Sequence, residues 1–261
     1  MKERRIDLIW KAAMIAALLL LWELLSRCSV VNPVFLPPFS AVFLNTFKMF
    51  AAGEITYHLY HSLSRAVTGF AIAAGIGVPL GFLIAAGGIR ARLAAGPLTE
   101  ILAQVNPFIL LHLLVLFMGI GEPAKITIVF WSCLWPIVFN TTAGVTDTDS
   151  LLLKAGRGFG SGRIQLFFKI ILPASAPKIF AGMRIAAGYS VFMLIAAEMM
   201  GGRSGLGWLI LNDQVNYQIK NVFSIALVIA ALGLLIDSAM GFLQNRLLKT
   251  DLRGYVNSSN T

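Results

Sequence analysis

The chain has 261 residues, of which 57% are hydrophobic and 13% charged, with a net charge of +9; ordinary soluble domains carry about 25% charged residues. That composition excludes a water-soluble fold of this length, which would lack the polar residues to clothe it. The basic excess sits at the ends of apolar blocks and not on one face, which argues against nucleic-acid binding and for membrane topology.

A helix needs about 20 apolar residues to cross the hydrocarbon, and six stretches supply them: 8–27, 60–87, 97–118, 124–145, 177–200 and 222–244. We therefore expect an all-α polytopic membrane protein with six transmembrane helices, forming one domain over 1–261. The first stretch follows Lys2, Arg4 and Arg5, as in a secretory signal. Its apolar run exceeds the roughly 7 to 15 residues of a signal core, so it reads as an uncleaved span. Cys28 and Cys133 lie in different blocks without metal-ligand spacing and read as small apolar residues.

Between the first two spans, Pro33, Pro37 and Pro38 precede a segment whose Val42, Phe43, Phe47 and Phe50 share a helical face. It reads as an interfacial helix over 39–52, with an ordinary loop as the alternative. In the second span Gly69, Ala73, Gly77 and Gly81 form a row of small residues, a seam for close helix packing. Pro79 and Pro107 are candidate kinks in the second and third spans. With the N-terminus cytoplasmic, the larger share of the 21 lysines and arginines falls on that side: Lys2, Arg4, Arg5 and Lys11, then Arg90 and Arg92, then those of the long loop, then Arg246, Lys249 and Arg253. Both termini are then cytoplasmic.

That long loop, 149–176, is too long to lack structure of its own. Leu152, Leu153, Phe159, Ile164, Phe167, Phe168 and Ile171 alternate with basic residues, the pattern of helical turns at a membrane surface, and Pro173 and Pro177 are expected to close it before span five. Lys154-Ala155-Gly156, then Gly160, then Ile170, Leu172 and Pro173 reproduce the spacing of the motif EAA, three residues, G, nine residues, I-x-L-P.

These residues resemble the cytoplasmic loop of permease subunits of binding-protein-dependent ABC importers. Trp22-Glu23, Asn32-Pro33, Leu36-Pro37-Pro38, Ser62-Leu63-x-Arg65, Gly77-x-Pro79-Leu80-Gly81, Phe117-x-Gly119-x-Gly121, Gly182-x-Arg184-Ile185-Ala186, Ala196-Ala197-Glu198-Met199 and Gly205-Leu206-Gly207 resemble the subgroup serving nitrate, sulfonate and taurine uptake. The resemblance implies a type I ABC importer permease fold in a bacterial cytoplasmic membrane, working by alternating access. It implies as partners two ATPase subunits, a second copy of the permease, and a periplasmic or lipid-anchored binding protein. It places ATPase coupling on Lys154, Ala155, Gly156, Gly160, Ile170, Leu172 and Pro173. It implies no cofactor in this chain, with ATP and Mg bound by the partner ATPase.

Two departures stand out. Lys154 replaces the motif's acidic residue, which points to an ATPase with an acidic partner. In span three Val105-Asn106-Pro107-Phe108 replaces the subgroup's basic residue and Pro-x-Pro-Pro run, so the substrate can differ from the commonest ones; a different small organic solute is the alternative.

Polar residues inside spans cost about 2.5–3.5 kcal/mol near the centre and face protein or water. Asn106, His112, Tyr189 and Ser190 lie near middle depth and are candidates to line a path. Glu198, before the glycine-rich 201–207 segment, is either a gate or docking residue at the outer mouth or a helix-end carboxylate pairing with Arg203. Glu23 and Arg65 read as interfacial, snorkelling or paired, and Asp237 as a structural hydrogen-bonding group. His112 reads as a core histidine, and His58 with His61 lacks the third ligand a metal needs, so no metal site is expected. The chain has no G-x-x-x-x-G-K-[ST] loop, so ATP hydrolysis belongs to another subunit. An ion-coupled transporter would show paired inverted repeats, and a membrane enzyme a convergent acid, base or metal set; neither pattern is present.

Overall fold

The computed structural model describes the backbone of residues 2–28 and 31–258 and the side chains of residues 10, 13–28 and 31–246. Several basic residues used for orientation, Lys2, Arg4, Arg5, Lys11, Lys249 and Arg253, lie outside the described side chains. In hydrocarbon a backbone must satisfy its own hydrogen bonds, which selects helices for every apolar block. Among the described residues every regular element is accordingly a helix.

Helix α1 (Lys2–Arg27) hands over to α2 (Phe39–Ala51) through a proline-rich turn. Trp22 Nε1 donates to the Pro37 carbonyl at 3.1 Å, and Ser26 Oγ to that of Leu36 at 2.7 Å. The N-cap of α2 is Pro38, which offers no side-chain acceptor. Glu23 supplies one from α1, accepting from the Ser40 backbone N at 3.0 Å while pairing with Arg27 at 2.6 Å. A carboxylate there satisfies a free amide and meets the positive end of the α2 dipole. The expected helix over this segment is thus present, with its apolar face divided. Val42 is buried, whereas Phe43, Phe47 and Phe50 stay exposed along a groove beside the last helix.

Helix α3 (Glu54–Ala86) has 33 residues, about 50 Å at 1.5 Å each, and so exceeds the roughly 30 Å hydrocarbon thickness. Pro79 lies within it without breaking it. The third expected span is not one helix. Helices α4 (Gly88–Ala103) and α5 (Pro107–Met118) meet at a 79° bend. Proline excludes the α conformation from the residue before it, and Asn106 is extended (φ −63°, ψ 119°), its side chain accepting from the Phe108 backbone N at 2.9 Å. That cap starts a new helix in a new direction.

Helix α6 (Glu122–Thr146) follows, then α7 (Ser150–Gly158), capped by the Asp149 carboxylate on the Leu151 backbone N at 2.8 Å. Helix α8 (Arg163–Leu166), a π-helical turn (Phe167–Ile171) and α9 (Leu172–Met199) form a continuous 37-residue rod. Pro173 and Pro177 do not close the preceding loop as the sequence suggests. Pro173 falls in the first turn of α9, where a missing amide is tolerated. The wide π turn lies under it, where the proline ring would otherwise crowd the carbonyl four residues back. Helix α10 (Leu206–Val215) is too short to cross, and α11 (Ile219–Ser258) ends the bundle. Among the described residues four helices are long and apolar enough to span, or five with the bent α4–α5 pair; α1 covers the remaining expected stretch.

Helix α6 is central, with α3 on one side and α9 on the other. Ala66, Ala73, Val129, Cys133, Ile137, Ala186 and Leu194 form the core where the three meet. Cys28, in contrast, is exposed at the end of α1. The row Gly69, Ala73, Gly77 and Gly81 is buried against α6 as the pattern suggests. A Cβ on Gly69 would lie 2.6 Å from Val129 Cγ1, and one on Gly81 2.6 Å from Thr141 Cβ. Gly182 does the same for α9, where a Cβ would meet Asn140 Cβ at 2.6 Å. Gly81→Ala should therefore cost about 1–3 kcal/mol by overpacking, whereas Gly75→Ala, with nothing within 4 Å of its Cβ position, should gain up to about 1 kcal/mol from helix propensity. Denaturant unfolding in detergent micelles tests the opposite signs.

Candidate functional site

Three features carry chemistry: a buried ionic cluster where α3 begins, the α7 segment at the other end of the bundle, and a cavity at the α4–α5 break.

In the first, Arg65 of α3 is 3% exposed and Glu198 of α9 is fully buried. Arg65 Nη1 donates to Glu198 Oε1 at 2.6 Å and to the Ser204 carbonyl at 2.9 Å. Its Nη2 donates to Ser204 Oγ at 2.7 Å and to Glu122 Oε1 at 2.6 Å, and Nε completes a two-pronged contact with the Glu122 carboxylate. Glu198 also accepts from Ser62 Oγ at 2.8 Å and from the Gly207 backbone N at 3.1 Å. Both buried charges are thus fully hydrogen-bonded, the condition under which an ion pair survives away from water. The cluster ties α3, α6, α9 and α10 together.

Two glycines make room for it. Gly205 has φ +114°, and any Cβ there would coincide with the Glu198 carboxylate, while a Cβ on Gly207 would strike the Ile195 carbonyl. His58 accepts from the Gly205 backbone N at 3.0 Å through Nδ1 and stacks on Trp208. Of the two readings of Glu198, the pair with Arg203 does not form; Arg203 is exposed, and Arg65 is the partner. Opposite charges in two spans were the available signal, since such residues usually pair with one another. Asp237, read as structural, accepts both arms of Arg184 at 2.6 Å.

Near the same end Asp213 is 2% exposed, with Oδ2 unpartnered, Oδ1 receiving a long contact from Asn212 at 3.4 Å, and Asn221 close by. Burial pushes its carboxyl above the ordinary range.

In the α7 segment, Gly156 faces inward, and a Cβ there would lie 2.6 Å from Ile170 Cδ1 and 3.3 Å from Leu166 Cδ1. Helix α7 therefore rests on the rod through its glycine. The helix ends in a Schellman turn: Gly160 N donates to the Arg157 carbonyl at 3.0 Å, and Ser161 N to that of Gly156 at 3.1 Å. Gly160 has φ +77°, the left-handed position this cap requires. Lys154 and Ala155 point outward, as do Leu151, Leu152 and Phe159, the last 89% exposed. Leu172 and Pro173 are half-buried at the start of α9.

Of the midspan polar residues, Tyr189 lines a cavity of about 350 Å³ with Val105, Pro107, Trp131 and Trp135. Ser190 is buried and bonded to the Ala187 carbonyl. His112 is exposed, its Nδ1 paired with the Phe108 carbonyl at 2.7 Å, not in the core. Asn106 is spent as the α5 cap.

The architecture is a helical membrane bundle with a broken third span and a short amphipathic helix propped on the base of a long rod. Residues 77–249 match the family model described as binding-protein-dependent transport system inner membrane component, and the chain belongs to that family. It is 31% identical over 234 residues to a putative aliphatic sulfonates transport permease of Bacillus subtilis, covering 90% of this chain and 84% of the relative. It is 30% identical over 240 residues to the nitrate import permease of Synechocystis, covering 90% and 87%. A chain of the MetNI methionine ABC transporter in an inward-facing conformation shares the fold, with a TM-score of 0.61 at 19% identity over 74% of this chain and 94% of that one. The chain is a multi-pass permease subunit of an ATP-driven importer, with the ATPase and the substrate-binding protein as separate partners.

Two outcomes test the polar clusters. Glu198→Gln leaves Arg65 buried beside Glu122 alone and should cost about 3 kcal/mol. Glu122 is 57% exposed, so Glu122→Gln should cost about 1 kcal/mol or less; unfolding midpoints separate them. For Asp213, whose folded pKa lies above the unfolded one, stability is full below the unfolded pKa and falls as pH rises through the folded value. Asp213→Asn should melt higher than the parent at pH 7.5 and converge with it at pH 4.

Proposed function

We propose that two copies of this chain pair around a shared path, with both termini cytoplasmic, and import a small solute of the nitrate, sulfonate and taurine class. The relatives named for sulfonates and nitrate support the class. The basic residues flanking the spans support the orientation, since such loops stay cytoplasmic. The solute arrives from a periplasmic or lipid-anchored binding protein, and Asn106, His112, Tyr189, Ser190 and Glu198 are the proposed path residues.

The coupling segment spans 149–176, and one observation carries its role. Helix α7 is held to the rod through Gly156 while its apolar residues Leu151, Leu152 and Phe159 face away from the bundle. An exposed apolar patch beside basic residues is the mark of a docking surface. Two ATPase subunits seat on the α7 pair. ATP binding closes them, α7 moves with its seat, and the rod carries the displacement into the bundle, opening it outward; hydrolysis resets it. Lys154, exposed on α7, meets an acidic residue of the ATPase.

Gly160 has open space around its Cβ position, so substitution there acts through backbone conformation and not through bulk. Asparagine tolerates the left-handed region and β-branched residues do not. Gly160→Asn should retain the co-purifying ATPase and its coupled activity, and Gly160→Val should lose both. Lys154→Glu should keep the chain folded and impair coupled ATPase activity. Unchanged activity in Lys154→Glu would sink the acidic-partner reading, and transport without any ATPase would sink the whole.

A further inference from the structure

The solute class proposed above has an anionic head, yet none of the path residues Asn106, His112, Tyr189, Ser190 and Glu198 carries a fixed positive charge. Most cations of the bundle are spent: Arg65 on Glu198 and Glu122, Arg184 on Asp237, Lys178 on Asp147. Lys125 is different. It lies in the first turn of α6 and is 4% exposed, and among the described residues its ammonium forms no hydrogen bond and no ion pair. Its charged neighbours are Arg65, Glu122 and Glu198, and both carboxylates are turned to Arg65. A buried charge left without a partner is costly to a fold. Packing alone does not account for it, since methionine would fill the same space uncharged.

The surroundings show what the charge faces. Helical side chains lean toward the N-terminus of their helix, so the Lys125 ammonium and the first-turn amides of α6 converge. The N-cap, Gly121, gives those amides no side-chain acceptor, and Glu122, the acidic residue of that turn, is engaged by Arg65. An uncapped helix start beside a cation suits an anion. The facing wall is glycine: a Cβ on Gly202 would coincide with the Lys125 ammonium, and one on Gly201 would lie 2.8 Å from Ile120 Cγ2. The rim is exposed at Ile120, Glu122 and Arg203. With Arg203 the cluster holds three basic residues against two carboxylates, so one added anion brings it to balance.

We propose that Lys125 and the uncapped amides of α6 form an oxyanion-binding site at the outer mouth, which receives the acidic head of the arriving solute. The ammonium donates to the oxygens of a nitrate or sulfonate group, a charge-assisted contact. The proposal rests on the solute reading above only in naming that anion as cargo, and it adds a counter-charge that the other path residues lack.

Equilibrium dialysis of radiolabelled methanesulfonate against the full chain in lipid nanodiscs tests it. The parent should bind saturably, sodium nitrate should compete, and dimethyl sulfone, close in shape and uncharged, should not. Lys125→Met keeps an apolar stem and removes the charge. It should weaken binding about tenfold, as expected for a lost hydrogen bond to a charged group, while the ligand-free melting temperature holds or rises because an unpartnered buried charge is gone. A marked fall in that temperature would mean that the ammonium serves the Arg65 cluster as a structural charge, and would overturn the proposal. So would parental affinity in Lys125→Met, no saturable binding by the parent, or equal competition by the sulfone. No ATPase or binding protein is present in the dialysis. Its failure beside sulfonate import by the assembled transporter sinks the site and leaves the solute reading standing; anion binding without such import does the reverse.

Discussion

Helix α6 is held on both sides at distances only glycine allows, and the rest of the molecule is arranged around that approach. Lipid is as apolar as leucine, so helices in a membrane gain little from burying apolar surface against each other and depend on contact, which falls away steeply with distance. Gly69 and Gly81 bring α3 onto Val129 and Thr141, and Gly182 brings α9 onto Asn140. Only with three backbones this close can Arg65, Glu122 and Glu198 meet from three helices. Gly205 and Gly207 then fold the following loop over the carboxylate.

The two ends of the bundle are built differently. Where α3 begins, the Arg65–Glu198 pair is buried, hydrogen-bonded on every side and enclosed by the α9–α10 connection. At the α7 end the polar groups are exposed, the ion pair between Lys178 and Asp147 lies in solvent-accessible positions, and α7 touches the rod through one glycine face. A subunit driven from one side needs this asymmetry. In the proposed coupling, a firm frame resists displacement and a lightly attached element receives it.

Much of this was legible in the residues. Long apolar blocks give the helices, the row from Gly69 to Gly81 gives the α3–α6 seam, and the glycine at 160 gives the turn after α7. What stayed hidden depends on three-dimensional partners or on helix register. Arg65 and Glu198 are 133 residues apart, and local reasoning offered Glu198 either nearby Arg203 or a gate or docking role. Pro107 was visible as a kink, but the size of the bend follows from Asn106 capping a new helix. Pro173 reads as a terminator in one dimension, whereas a π turn below it lets the helix continue.

That π turn has a geometric consequence for the rod. On an unbroken α-helix, Leu166 and Ile170, which meet Gly156, would lie nearly opposite Ser175, Gly182 and Ala186, which meet α6. A turn wound on i→i+5 hydrogen bonds advances more slowly, and over its length the two stripes come round toward each other by about 100°, one residue's rotation. The flank that carries α7 and the flank that carries α6 are therefore adjacent sides of one shaft. A load on α7 is applied off the line along which α9 bears on α6, and an off-line load is a torque.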